Sequence, residues 1–234
     1  MANTFIHMYR DRLIFANCAL GIVFILSAML KAVNVFSFGN TIELFCGLLG
    51  MEVFYGYGKV LAVLICAGEL FLGLLSLHPG FQRLVCWIYP VVLGYFTYIT
   101  FINHTTMYAQ IESCGCFGEI VHLSAAATFY KNVVLFLLSI GLCVLSVRDR
   151  SEMMRLNLSC IIKNVYVWLC LLMSFVLPLF SLACMNRLGQ SVYLILYLSL
   201  CLVIIAVASI CLMKRLGLNS FTKEKHGLAN GIQK

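Results

Sequence analysis

Long apolar runs separated by short polar breaks dominate this sequence. Six are long enough for the roughly 20 mostly apolar residues that a bilayer-spanning helix needs: Leu13 to Val33, Tyr57 to Leu77, Leu84 to Ile102, Thr128 to Val147, Val165 to Ala183 and Val192 to Met213. None alternates with period two as a transmembrane barrel strand does. The pattern predicts an all-α fold, a polytopic transmembrane helical bundle of about six spans. A shorter element is expected between the first two spans. Asn40-Thr41-Ile42-Glu43 reads as a capping box opening a helix from Thr41 to Met51, and Ile42, Phe45, Cys46 and Leu49 share one face of it, which suits the membrane interface.

Composition agrees with a chain whose solvent is the bilayer. Of 234 residues 62% are hydrophobic and 11% charged, against about a quarter charged in soluble proteins. The first run follows Arg10, Asp11 and Arg12, but it is too long for a signal peptide, and Lys31 stands where a small-residue cleavage site would lie. It reads as a retained first span.

The formal charge of +7 reports topology and not nucleic acid, because the bases sit at helix ends and form no solvated patch with interleaved aromatics. Arg10 and Arg12, then Arg83, then Arg148, Arg150, Arg155 and Lys163, then Lys214, Arg215, Lys223 and Lys225 fall on one side. By the positive-inside rule that side is cytoplasmic, so both termini are inside. The chain divides into a four-span core at 1–148, a cytoplasmic loop at 149–164, a two-span hairpin at 165–213 and a basic tail at 214–234. This orientation puts the segment after the third span outside, with Cys114 and Cys116, and puts Cys46 and Cys184 on the same side.

Twelve cysteines acquire meaning from that topology. Cys18, Cys66, Cys86, Cys143, Cys160, Cys170, Cys201 and Cys211 fall within spans or towards the cytoplasm, where Cys is normally a small buried hydrophobe. Cys114-Gly115-Cys116-Phe117-Gly118 is different. Two thiols one residue apart close only a small strained ring, which raises the reduction potential of the disulfide, and the two glycines supply the backbone freedom for the turn. The pair therefore reads as exchange-active. Cys46 and Cys184 are the candidate resolving partners; tied to Cys114, either would instead be a structural staple. A zinc site is disfavoured, because Cys46 and Cys184 are isolated whereas zinc ligands come in closely spaced pairs. His104, His122 and Lys131 can favour thiolate formation in the loop, whereas Glu112 and Glu119 oppose it or accept a proton during exchange.

Glu69 lies well inside the second span, where an ionisable group is expensive and is a functional candidate by default. Lys31 is the tempting partner. Counting 1.5 Å per residue puts Glu69 on the order of 18 Å below the outer end of its helix, with Lys31 only a few residues deep. Direct pairing is then not expected without a tilt or kink, and proton relay and structural support are the roles open to Glu69. Tyr95, Phe96, Tyr98 and Phe101 before the loop can border a quinone headgroup or form an interfacial aromatic belt.

Three elements together, Ser27-Ala28-Met29-Leu30-Lys31, Gly68-Glu69-Leu70 and Cys114-Gly115-Cys116-Phe117-Gly118, resemble the MauE branch of the DoxX-like membrane proteins over residues 9–148. The resemblance implies a four-helix core in a bacterial cytoplasmic membrane that works with thioredoxin-like extracytoplasmic proteins in making, reducing or sorting disulfides. Cys114 and Cys116 carry over by motif, and Lys31 and Glu69 as intramembrane polar positions. The reading that follows is a thiol-disulfide redox protein, with quinone the candidate membrane carrier and no cofactor fixed by the sequence. The competing reading is a non-enzymatic assembly or scaffold subunit that packs against other membrane subunits, its cysteines structural. A small-solute transporter ranks last, since few polar residues converge at mid-membrane and no pair of broken helices is evident.

Overall fold

The structure is a computed structural model that describes residues 2–105, 124–148 and 164–215. Seven α-helices occur among the described residues: α1 (Ala2–Ala32), α2 (Val35–Leu48), α3 (Gly58–Ser76), α4 (Gln82–Thr105), α5 (Ala125–Arg148), α6 (Val165–Cys184) and α7 (Gln190–Arg215). All but α2 are long and apolar enough to cross a membrane. The protein is a multi-pass helical membrane protein, and each predicted span lies on one of these helices to within a few residues, except that α1 begins well before Leu13.

Outside water, backbone groups must be satisfied within the fold, so helix ends and breaks reveal what holds the bundle together. Ser124 accepts from the Ala127 amide at 3.2 Å and starts α5. Asn164 does the same for α6 through the Tyr166 amide at 3.0 Å. The second helix departs from expectation. It starts six residues early, at Val35, with Asn34 as its cap, accepting from the Ser37 amide at 3.0 Å. Thr41 is interior, its hydroxyl bonded to the Ser37 carbonyl, and Glu43 reaches away to accept the Gly58 amide at 3.2 Å. Glu43 thus caps α3, whose own cap residue Tyr57 offers no side-chain bond. A carboxylate at a helix N-terminus answers both an orphan amide and the helix dipole.

The third helix is the hub. It packs against α1, α2 and α6, while α4 and α5 form the other extensive pair. Two close approaches fix its register. At Gly73 a Cβ would stand 2.8 Å from the Gly21 carbonyl, and at Gly58 one would stand 2.4 Å from the Gly39 carbonyl. Only glycine lets the backbones come so near. These contacts run antiparallel: Gly21 lies level with Gly73 on α1, and Gly39 with Gly58 on α2. The chain from α1 into α2 therefore continues along α3 across the Val33–Asn34 break.

One apolar cluster joins α1, α2, α3, α6 and α7 through Ile25, Met29, Phe38, Cys66, Leu70, Leu177 and Tyr197. A second joins α1, α3, α4 and α5 around Phe24, Leu75, Tyr89, Leu93 and Leu142. Large side chains such as Val91, Leu137, Leu172 and Ile195 point outward, as expected where lipid is the solvent.

Candidate functional site

Lys31 and Glu69, only 3% and 4% exposed, form a buried ion pair between α1 and α3. This corrects the depth argument made from sequence. The end of the first apolar run does not mark the outer surface, because the level at which α3 begins is reached only at Gly39 on α2. Lys31 is eight residues short of that level, on the order of 12 Å at helical rise. Glu69 is eleven residues into α3, on the order of 16 Å, and the lysine side chain spans the difference.

The Lys31 ammonium also lies 4.7 Å from the ring centre of Phe96 and 5.6 Å from that of Phe38. Aromatic faces at this range stabilise a cation where water is absent. Glu69 is less complete. Its Oε2 is buried and accepts no hydrogen bond among the described residues.

Two cavities meet at Lys31. The smaller, about 30 Å³, is lined by Ser27, Lys31, Glu69, Lys131 and Asn132 together with apolar side chains of α1, α4 and α5. A buried water needs roughly 10–15 Å³ and two or more polar partners, so the space suits one or two waters beside the carboxylate. The larger, about 70 Å³, lies between α2 and α4 and is walled by Phe38, Ile42, Phe45, Cys46, Tyr95, Phe96, Ile99 and Thr100. Asn132 donates to Thr100 at 3.3 Å and ties α5 to this wall.

The break between α1 and α2 is held by the C-terminal hairpin. Tyr193 donates to the Val33 carbonyl at 2.5 Å, Tyr197 donates to the Met29 carbonyl, and Ser181 donates to Val33 at 3.4 Å while accepting the Val35 amide at 3.5 Å. Hydropathy alone marks this hairpin only as two spans. The available signal was the i, i+4 spacing of Tyr193 and Tyr197 in an otherwise aliphatic span, which puts two hydroxyls on one helix face. Lys131, Asn132 and Ser27 were likewise not connected with Glu69, since spacing along separate helices does not say which faces meet.

Among the remaining expected site residues, Cys46 is 4% exposed in the cavity wall, and Cys184 is half-buried against the same apolar cluster. Both are free thiols. Burial first, and then the nearby Glu43 carboxylate, push the Cys46 thiol above its ordinary value, which makes it a poor first attacker at neutral pH. His104, in the last turn of α4, stacks on Phe129, with ring centres 5.6 Å apart. Cys114, Cys116 and Glu112 lie outside the described residues, in the segment joining α4 to α5.

No solved structure matches the chain. Protein TlpB of Flavobacterium psychrophilum is 26% identical over 120 residues, 49% of this chain and 29% of that protein, so the chain spans less than a third of the relative's length. The family model of methylamine utilisation protein MauE matches residues 11–145. That match takes in more than half of the chain, from α1 through α5, with Lys31, Glu69, Lys131 and the Cys114 to Gly118 loop all inside it, and on it the chain belongs to the MauE family.

Proposed function

We propose that this protein is a thiol-disulfide redox protein of the bacterial cytoplasmic membrane, exchanging electrons between Cys114 and Cys116 and a thioredoxin-like extracytoplasmic partner. The observation that carries the reading is the Cys-Gly-Cys loop strung between α4 and α5, the helices that supply Tyr95, Phe96, Thr100 and Asn132 to the two cavities at Lys31. The charge bias of the loops supports an outward position for that segment, and membership of the MauE family supports a membrane role.

Exchange runs through two displacements. A partner thiolate attacks the Cys114–Cys116 disulfide and forms a mixed disulfide as one loop thiolate leaves. The partner's second thiol then displaces the other, so the partner ends as a disulfide and the loop as a dithiol; the reverse sequence reduces the partner. Electrons pass to or from a membrane carrier, with quinone as the candidate. In this reading 1–148 is the redox core, 149–164 a cytoplasmic loop, 165–213 a supporting hairpin and 214–234 a basic cytoplasmic tail.

In the reverse sequence, where a loop thiolate attacks an oxidised partner, replacing one loop cysteine with Ser removes the loop thiol that resolves the mixed disulfide. Cys114→Ser or Cys116→Ser is expected to accumulate a mixed disulfide with the partner, visible on non-reducing gels after acid trapping, and the double variant to give none. An extracytoplasmic thiol pool whose redox state is the same in the double variant as in the parent would contradict the proposal and favour a structural staple.

A further inference from the structure

The Lys31–Glu69 pair satisfies only half of its carboxylate. Glu69 lines the smaller cavity, its Oε1 is taken by Lys31, and its Oε2 is buried and accepts no hydrogen bond among the described residues. A carboxylate oxygen shut away from water costs more than an ordinary unmade bond, because the atom carries charge. Something that donates hydrogen bonds is needed beside it.

The other polar groups of the cavity narrow the choice. Lys131 and Asn132 enter from α5 and Ser27 from α1, and none of them donates to Oε2 directly. A metal cation would face the ammonium groups of Lys31 and Lys131 across a single carboxylate. A small anion would suit the lysines, but a space of about 30 Å³ is too small to hold it clear of the charged Oε2. An apolar molecule leaves that oxygen as it was. Water answers both kinds of group: its oxygen accepts from the Lys131 ammonium while a hydrogen goes to Oε2, and about 30 Å³ exceeds the roughly 10–15 Å³ that one water requires. Asn132, held by its bond to Thr100 at 3.3 Å, adds an amide oxygen as a further acceptor.

We propose that the smaller cavity is a hydration site, in which bound water bridges Glu69 Oε2 to the Lys131 ammonium. One carboxylate then answers two lysines, Lys31 directly and Lys131 through water, and the charge network joins α1, α3 and α5. A bridging water is enthalpically nearly as good as a direct hydrogen bond. The consequence for the fold lies in α5, which packs mainly on α4. The water gives it a polar tie to the hub helix α3, and α5 is the helix that follows the segment carrying Cys114 and Cys116. The site does not depend on the redox reading.

Its test is magic-angle-spinning NMR of the isotope-labelled, full-length protein in lipid bilayers. Polarisation starts on water and is read on the Glu69 carboxyl carbon, assigned through the backbone of α3. Transfer to that carbon is expected in the parent. Ser27→Leu, which puts a larger apolar side chain into the cavity, is expected to abolish it, and Lys131→Met to weaken it severalfold. A melting curve for each variant separates lost hydration from lost folding, and Lys131→Met decides the matter if Ser27→Leu does not fold. Absence of transfer in the parent would overturn the site, as would transfer that survives unchanged in a folded Ser27→Leu protein. Transfer that Lys131→Met leaves unchanged would overturn the bridge.

Discussion

Lys31→Met is expected to destabilise the folded protein by about 3–5 kcal/mol, the usual cost of removing one partner from a buried ion pair. The size follows from what remains. Glu69 is 4% exposed with one oxygen already without a hydrogen bond, so losing the ammonium strands a carboxylate among Phe24, Leu93 and Phe96. Glu69→Leu should cost less than Lys31→Met, because Phe38 and Phe96 still face the lysine. The double variant should recover most of the loss, since well-packed apolar replacements of buried pairs are often neutral. Denaturant titration in mild detergent micelles completes the double-mutant cycle; additive single effects would show that the two side chains do not stabilise one another.

Tyr193→Phe together with Tyr197→Phe is expected to cost about 2 kcal/mol, from hydrogen bonds that in membranes are worth up to roughly 1.7 kcal/mol each. Both hydroxyls bond to carbonyls of the α1–α2 junction, at Val33 and Met29, and phenylalanine keeps the rings while deleting those donors. Ser181 stays on Val33, so the single Tyr193 variant should be milder than that of Tyr197. Unfolding titrations of the three variants check the order. Equal, negligible costs would mean that the hairpin merely packs beside the core and does not clamp it.

Hydropathy was sufficient to find the spans, because a bilayer leaves the backbone no alternative to long apolar helices. It could not give depth. A run ending at Val33 reads as a helix reaching the surface, and nothing in its composition says that Asn34 restarts the helix at once and that Gly39 is the residue level with the start of α3. Glu43 was misread for a related reason. Its spacing from Asn40 fits a local capping box, but the amide it serves belongs to Gly58, fifteen residues on and in another helix. Polar groups brought together by tertiary contact, such as Asn132 and Glu69 at one cavity or Tyr193 under Val33, are invisible to periodicity within single helices. The loop cysteines, by contrast, were conspicuous in sequence because two thiols flanking a glycine have few structural uses.

The central claim is that Cys114 and Cys116 form an outward, exchangeable pair, and thiol labelling of intact cells tests it most directly. A membrane-impermeant maleimide, applied with and without prior reductant and followed by mass spectrometry of the purified protein, should modify Cys114 and Cys116 only after reduction, with the disulfide between them recovered from the untreated sample. Labelling that appears only once the membrane is opened, or that never changes with reductant, would contradict the account.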